Sequence, residues 1–328
     1  MPVEISLTTK IAPGNSAGIA EAVRALQSRE PVVVPTETVY GLGCNALDDQ
    51  AVARVFAVKE RPRFNPLIVH VRGWDHAMEY VEPNDHAAAL AGKFWPGPLT
   101  LVLQRSANCP VSRLASAGLD TVAVRAPSHK IAQALIDASG FPISAPSANR
   151  SGRLSPTTAE DAFHELNGRV GLILDGGACQ AGIESTIVGF ESGAPVMLRP
   201  GAIAREEIEA LSGPLVERSS STVTAPGMMA SHYAPRARLR LNATEIAPGE
   251  ALLAFGDTTL SPGIICNLSP SGDVREAAAN LFGMLHRLDD TGVGTIAVMP
   301  IPDTGLGEAI NDRLRRAAAP RDTHHDWT

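Results

Sequence analysis

Three short stretches of the 328-residue chain hold most of the side chains able to do chemistry. The first is PTETVYGLG, residues 35–43. Its two threonine hydroxyls (Thr36, Thr38), Glu37 and two glycines supply donors, acceptors and room for close backbone approach. It follows an apolar strand, where α/β folds present ligand-binding loops. A strand-to-helix loop without a ligand could have the same composition. The second stretch, KERPRFNPLIVH at 59–70, places Lys59, Arg61 and Arg63 within five residues. Such cations at a helix C-terminus also balance the dipole. Prolines fix the turn that follows, which suits a loop built to hold phosphate. Arginine brings a rigid fork and lysine a point charge, both matched to a polyphosphate.

The third stretch is SAPSANRSGRLSPTT, 144–158, with Ser144, Ser147, Ser151, Ser155 and Asn149 ahead of a helix N-terminus. Hydroxyl-rich loops in that position bind anions and sugars, and turn or capping roles are the alternative. No histidine or acid is placed beside these serines by a recognised nucleophile motif. TVAVR (121–125), GIESTIV (182–188) and LRPG (198–201) each set a polar residue against a buried strand. A lone buried arginine is more often half of a structural ion pair. The phosphate-binding G-x-x-x-x-G-K-[ST], the dinucleotide glycine triad, H-E-x-x-H and G-x-S-x-G are all absent from the chain.

The elements that must carry these residues read as an α/β fold, because short apolar runs alternate with segments of helical period. Strands are expected at 31–35, 67–71, 99–104, 121–125, 141–144, 171–174, 185–188 and 196–199. Helices are expected at 15–28 and 49–59, with Pro62 ending the second. Thr157 and Glu160 suggest a capping box opening a helix at 158–167. Residues 213–235 break the rhythm with serines, threonines and prolines, and read as a long linker or functional loop. A second α/β unit follows, with strands at 236–241, 251–255, 263–268 and 295–299 and helices at 273–288 and 306–318. The tail PRDTHHDWT reads as frayed. The expected division is 1–212, a 213–235 linker able to close over the site, and 236–328.

With 28 Lys and Arg against 35 Asp and Glu, the net charge is −7, which argues against a general nucleic-acid coat. The four cysteines (Cys44, Cys109, Cys179, Cys266) form no C-x-x-C pair. They indicate neither a zinc cluster nor a disulfide framework, and they fit a reducing cytoplasm. Neither a signal peptide nor a membrane-spanning apolar run is evident.

Taken in order, PTETVYGLG, K-x-R-P-x-x-N-P-L, PGPLT, R-x-P-x-H, SAPSAN-x-SG-x-x-SPT, GIESTIV and LRPG resemble the YrdC-like family over residues 31–201. PGMMASHYAP (226–235) and GLGEAINDRLRRAA (305–318) are similar to the marks of its two-domain members, the threonylcarbamoyl-AMP synthases. The resemblance implies an open, twisted mixed β-sheet domain with an electropositive cavity, and a second, smaller Rossmann-like α/β domain. It implies that L-threonine, bicarbonate and ATP, with Mg²⁺ accompanying ATP, give threonylcarbamoyl-AMP and pyrophosphate. The product then serves the transferase machinery that modifies an adenosine next to the anticodon of tRNA.

By motif, Thr38, His70, Arg125, Ala145 (through its backbone) and Ser185 match threonine contacts. Arg61, Asn65, Thr121, Ser147, Ser155, Arg199, His232 and Tyr233 match ATP contacts, and Lys59 with Arg61 the catalytic cations. One departure is Met229-Ala230-Ser231, which stands where the family often carries basic residues. Such chemistry needs no protein nucleophile, only positioned charge. Two other readings remain at this point: a double-stranded RNA-binding or ribosome-associated module, and carbamoyl transfer through carbamoyl-adenylate.

Overall fold

The computed structural model describes residues 7–62, 64–216, 232–260 and 263–320. Ten strands form one mixed sheet. They are β1 (Lys10–Pro13), β2 (Val32–Val34), β3 (Gly41–Asn45), β4 (Ile68–His70), β5 (Leu99–Gln104), β6 (Thr121–Arg125), β7 (Ile143–Ser144), β8 (Leu172–Asp175), β9 (Thr186–Glu191) and β10 (Ala194–Arg199). Their order across the sheet is β1-β8-β2-β3-β7-β4-β6-β5-β9-β10. Helices α1 (Ser16–Gln27), α2 (Asp49–Lys59), α3 (Trp74–Ala77), α4 (Asp85–Phe94), α5 (Lys130–Ser139), α6 (Ala159–Leu166) and α7 (Arg205–Ser212) belong to this half.

The second half is a four-stranded, wholly parallel sheet of β11 (Arg238–Arg240), β12 (Ala251–Ala254), β13 (Ile265–Asn267) and β14 (Thr295–Val298), ordered β11-β14-β12-β13. Helices α8 (Val274–Asp289) and α9 (Gly307–Ala318) pack on it. The architecture is the one expected, a large mixed sheet followed by a smaller Rossmann-like unit. Among the described residues no helix is long and apolar enough to cross a membrane.

The central strands are apolar on both faces, but the faces have different jobs. Successive side chains of a strand point to opposite sides. Val69 of β4, Leu99, Leu101 and Leu103 of β5, and Val122 and Val124 of β6 enter the main helix-covered core. Their alternates Ile68, Val102 and Ala123 join Ile187 and Leu198 in a small apolar floor on the other face. The same period puts His70 and Arg125 on that second face, one step past Ile68 and Ala123.

The sequence reading contains no strand at β1 and no helix at α3, α4, α5 or α7, and two further local features differ from it. Residues 41–45, read as the end of a loop, form strand β3, antiparallel to β2 and β7. Glycine weakens a strand signal, yet a Cβ at Gly41 would stand 3.1 Å from the Ala145 Cβ and one at Gly43 3.0 Å from Ile143. The capping box of α6 is Thr158 with Asp161, one residue later than Thr157 with Glu160. Asp161 also accepts from the Thr157 hydroxyl at 3.1 Å.

The two halves are joined by packing as well as by chain. Val39, Leu154 and Ile183 of the first half lie in one apolar cluster with Tyr233, Phe282 of α8 and Leu314 of α9. Gly182 makes the tightest approach: its φ is +67°, and a Cβ there would fall 2.1 Å from the Ala279 carbonyl oxygen of α8. Of the expected linker, residues 217–231 lie outside the described residues, Met229-Ala230-Ser231 included. On its near side the Val216 amide donates to Pro195 at 3.1 Å, and on its far side the Ala234 amide donates to Gly152 at 2.8 Å.

Gly182→Ala is therefore expected to loosen the seam between the halves. Overpacking and left-handed strain together should cost roughly 2–5 kcal/mol. Urea denaturation should show a lower midpoint, with the second half unfolding ahead of the first. An unchanged midpoint would mean the seam tolerates a methyl group and does not couple the halves.

Candidate active site

A cavity of about 550 Å³, measured to its mouth, opens on the second face of the large sheet. Its walls come from the loop after β2, the turn after α2, strand β4, the end of β6, the loop after β7, the entry to β9, the end of β10, and His232 with Tyr233. A wider hollow of about 1090 Å³ on the second half is lined by Glu245, Glu250 and apolar turns, without a cation. The first is the candidate site because charged and hydroxyl side chains converge in it.

The PTET loop is folded by its own hydroxyls. Thr36 Oγ1 donates to the Val39 carbonyl at 2.6 Å and accepts from the amides of Thr38 and Val39. It is woven into the serine-rich loop through Tyr40 N to Pro156 O at 2.9 Å, Ala148 N to Tyr40 O at 2.8 Å and Leu42 N to Pro146 O at 2.7 Å. Thr38 Oγ1 accepts from Arg125 Nη1 at 2.9 Å, and Glu37 pairs with Arg125 Nη2 at 2.7 Å. Arg125 Nε donates to the Gly97 carbonyl at 3.2 Å, so the guanidinium is fixed on three sides.

The other two cavity arginines are also held by carbonyls. Arg61 donates from Nε to Asn65 O at 3.2 Å and from Nη2 to Pro66 O at 2.9 Å. The proline-bounded turn thus curls back to grip the side chain that opens it. Arg199 donates from Nε and Nη2 to Ser185 O, and from Nη2 to Ser185 Oγ at 3.1 Å. Ser185 Oγ in turn lies 2.8 Å from Thr100 Oγ1. Gly201 permits this arrangement, because a Cβ there would meet Ser185 and Thr186 backbone atoms at 2.4 Å.

Burial and mutual repulsion set the protonation states. Burial, with Arg61 close by, holds the Lys59 ammonium well below its usual range. Burial takes Arg61 down to about 10, still cationic at neutral pH. His70 is pushed down to about 3 by burial and by Arg125. Burial and the cations Arg61, Lys59, Arg199 and Arg313 likewise depress His232. Both histidines are therefore neutral, and neither Nδ1 has a hydrogen-bond partner among the described residues. Burial alone would raise Glu37 and Glu184, but Arg125 outweighs it at Glu37, and Arg313 with Arg199 at Glu184, so both stay ionised.

Among the loop candidates Thr36 lines this cavity, Glu37, Ser144, Asn149 and Ser151 are not lining residues, and Arg63 lies outside the described residues. Of the fourteen residues matched by motif, Thr38, Arg61, His70, Arg125, Ala145, Ser147, Ser185, Arg199, His232 and Tyr233 line it. Four do not. Lys59 Nζ is spent on the carbonyls of Ser147, at 2.5 Å, and Asn149. It pins the serine-rich loop from beside the cavity. Asn65 acts through its carbonyl on Arg61, and Ser155 Oγ donates to Glu184 Oε1 at 2.5 Å. Thr121 pairs with Gln104 at the opposite end of β6 from Arg125, about 13 Å of strand away. The Ala145 amide donates to Ile68 O at 3.0 Å, so a backbone contact to a ligand there falls to its carbonyl.

Sequence reasoning passed over Glu184 and its partner Arg313, whose Nε donates to Glu184 Oε2 at 2.8 Å. The signal was present: Arg313 falls on the helical face of Leu306, Ala309, Ile310, Leu314 and Ala317, where an apolar residue is expected.

Comparison with known proteins accounts for both halves. The family model described as "Telomere recombination" (Sua5, YciO and YrdC) matches residues 24–201. That described as "Threonylcarbamoyl-AMP synthase, C-terminal domain" matches 203–319. Threonylcarbamoyl-AMP synthase of Pyrococcus abyssi is 42% identical over 88% of this chain and 91% of its own. That of Bacillus subtilis is 39% identical over 94% of each. The crystal structure of P. abyssi Sua5 complexed with L-threonine superposes with a TM-score of 0.85 at 38% identity, covering 95% of this chain and 97% of that one. The chain belongs to the Sua5–YciO–YrdC family, in the form that carries the synthase C-terminal domain.

Proposed function

We propose that this protein is an L-threonylcarbamoyladenylate synthase. The observation that carries the reading is one buried cavity in which Arg61, Arg125 and Arg199 converge with Thr38, Ser185 and a neutral His70. It occurs in a chain that aligns almost end to end with synthases of that name.

The reaction follows from the groups present. The neutral amine of threonine condenses with bicarbonate to give a carbamate and water. A carbamate oxygen then attacks the α-phosphorus of ATP in line, and pyrophosphate leaves. No side chain forms a bond, so the protein's contribution is orientation and charge stabilisation. Arg125, Thr38, His70 and Ser185 form the threonine end, with Arg125 facing the carboxylate. A neutral His70 can hydrogen-bond the threonine hydroxyl, but it is too weakly basic to serve as a general base at pH 7. Arg61 and Arg199, with Ser147, His232 and Tyr233, form the triphosphate end. Lys59, Asn65 and Ser155 position these groups.

The acids nearest the cavity are already engaged. Glu184 is taken by Arg313 and Ser155 and Glu37 by Arg125, and no group of three ligating side chains occurs among the described residues. Mg²⁺ accordingly enters as part of MgATP. The adenylate passes to the transferase machinery that modifies tRNA, in the cytoplasm, with at most weak RNA contact and no membrane role. No specific observation favours the RNA-binding or carbamoyl-transfer alternatives.

Pyrophosphate release measured with ATP, threonine and bicarbonate omitted in turn tests the reading. Release should require all three, and turnover without threonine would refute it. Arg125→Lys should raise the KM for threonine by roughly 10–100-fold, as for loss of a charge-assisted hydrogen bond to a carboxylate, and move that for ATP far less. Equal losses would make Arg125 structural.

The neutral histidines set a pH dependence. Unfolded, each takes up a proton below about pH 6.5 that the folded protein refuses. Their stabilising effect is thus complete above 6.5 and is lost as pH falls towards the folded value, about 3 for His70. Each should steepen acid destabilisation by up to ~1.4 kcal/mol per pH unit. Between pH 6 and 5, where an unfolded histidine is mostly protonated and the carboxylate contribution is common to both proteins, His70→Asn should flatten the slope of unfolding free energy against pH by about one proton. An unaltered slope would show that His70 titrates normally in the folded state.

A further inference from the structure

Among the described residues Arg313 heads the largest fully buried side chains, and it belongs to the half that, the linker pair His232 and Tyr233 aside, supplies no lining residue of the large sheet's cavity. Its Nε donates to Glu184 Oε2 at 2.8 Å, and its Nη1 to the Pro200 carbonyl at 2.9 Å and Asp312 Oδ2 at 2.8 Å. The guanidinium lies 5.2 Å from the centre of the Tyr233 ring. Glu184 is the one acid among the described residues lining the cavity. Glu184 precedes Ser185, and Pro200 follows Arg199, the two residues that bond to each other across the cavity wall. Arg313 therefore grips the backbone and side-chain neighbours of that pair from the second domain.

We propose that Arg313 is a positioning residue for the nucleotide. By occupying Glu184 and the Pro200 carbonyl, it keeps the single cavity acid off the triphosphate and off Arg199. The inference rests on ATP occupying this cavity. A buried carboxylate deprived of its cation seeks another, and Arg199 already lies within its electrostatic reach. Without Arg313, Glu184 competes with the phosphates for Arg199 and repels them directly. Threonine, bound at the Arg125 end, is linked to this pair only through the Ser185 hydroxyl, a neutral contact, and so feels the change less. The second domain thus acts as a charge stopper on a site whose reacting groups all lie in the first.

The test uses the full chain with Arg313→Met, Arg313→Lys, and Arg313→Met combined with Glu184→Gln, which leaves no charge buried alone. Pyrophosphate release is followed with ATP varied at saturating threonine and the reverse, and ATP binding alone is read by calorimetry. Arg313→Met should raise the KM for ATP about tenfold or more and that for threonine less than about twofold. Arg313→Lys should recover part of the loss, and the double variant most of it. Equal increases for both substrates, or a double variant no better than the single one, would overturn the proposal. If Arg313→Met fails to fold, the double variant and Arg313→Lys decide by the same split in KM. If neither folds, Arg313 is a stability residue and the proposal falls. Failure of the function reading itself would appear separately, as wild-type protein that releases no threonine-dependent pyrophosphate.

Discussion

A guanidinium removed from water must have its N–H groups met by oxygen, and the site is built around meeting that demand three times at close quarters. Arg61 is met by the carbonyls of its own turn, Arg125 by Gly97, Thr38 and Glu37, and Arg199 by Ser185. These partners are mostly backbone oxygens, which are polar but uncharged. Much of the solvation of these cations therefore comes from dipoles rather than from counter-charges. Arg125 is given a full carboxylate as well, that of Glu37.

The loop conformations follow from the same requirement. Carbonyls point into the cavity wall only if the chain turns sharply there, which is why prolines and glycines crowd these segments. Gly201 brings LRPG within contact of the Ser185 backbone, and Pro62 and Pro66 close the Arg61 turn. Lys59 does for the serine-rich loop what the carbonyls do for the arginines, in reverse: one buried ammonium gathers the Ser147 and Asn149 carbonyls. Burial and the nearby Arg61 depress its basicity, and the Glu165 carboxylate offsets them only in part. The sheet beneath supplies a rigid base, because Ile68, Val102 and Ala123 are held from behind by the helix-covered core.

How far this could be read from the chain depends on which interactions are local. Strands β5 and β6 and helix α2 have the same bounds in sequence and structure, since period and flanking breakers are local signals. Helix α4 was not legible: it buries only Ala87, Leu90 and Ala91, too few large apolar residues to mark a face. The shift from Thr157 to Thr158 at the α6 cap hides in a Thr-Thr pair followed by Glu-Asp, where three-dimensional packing chooses the pair. Motif order located the cavity residues well, but adjacency within a motif misleads for an extended strand. Thr121 and Arg125 share five residues of sequence and stand at opposite ends of β6. The burial of Arg313 is legible on its helical face, but its partner Glu184 lies 129 residues away and no local pattern names it.

The depressed histidines report something about the cavity beyond their own titration. His70 lies beside Arg125, and His232 beside Arg61, Lys59, Arg199 and Arg313, and each is kept neutral by burial and by those positive charges. The field does not distinguish an imidazole from an alkylamine. A primary amine brought to the His70 end meets the same desolvation and the same nearby cation, both of which disfavour its ammonium form. A peptide's amino terminus has a reference value near 7.7–8.0 and a free amino acid's amine, beside its own carboxylate, is more basic, so a substantial depression is what makes the neutral amine dominant at pH 7. That is the form able to add to bicarbonate or carbon dioxide. The buried cations required to bind a polyphosphate would therefore also prepare the amine, which explains why the cavity can dispense with a basic side chain placed to deprotonate it.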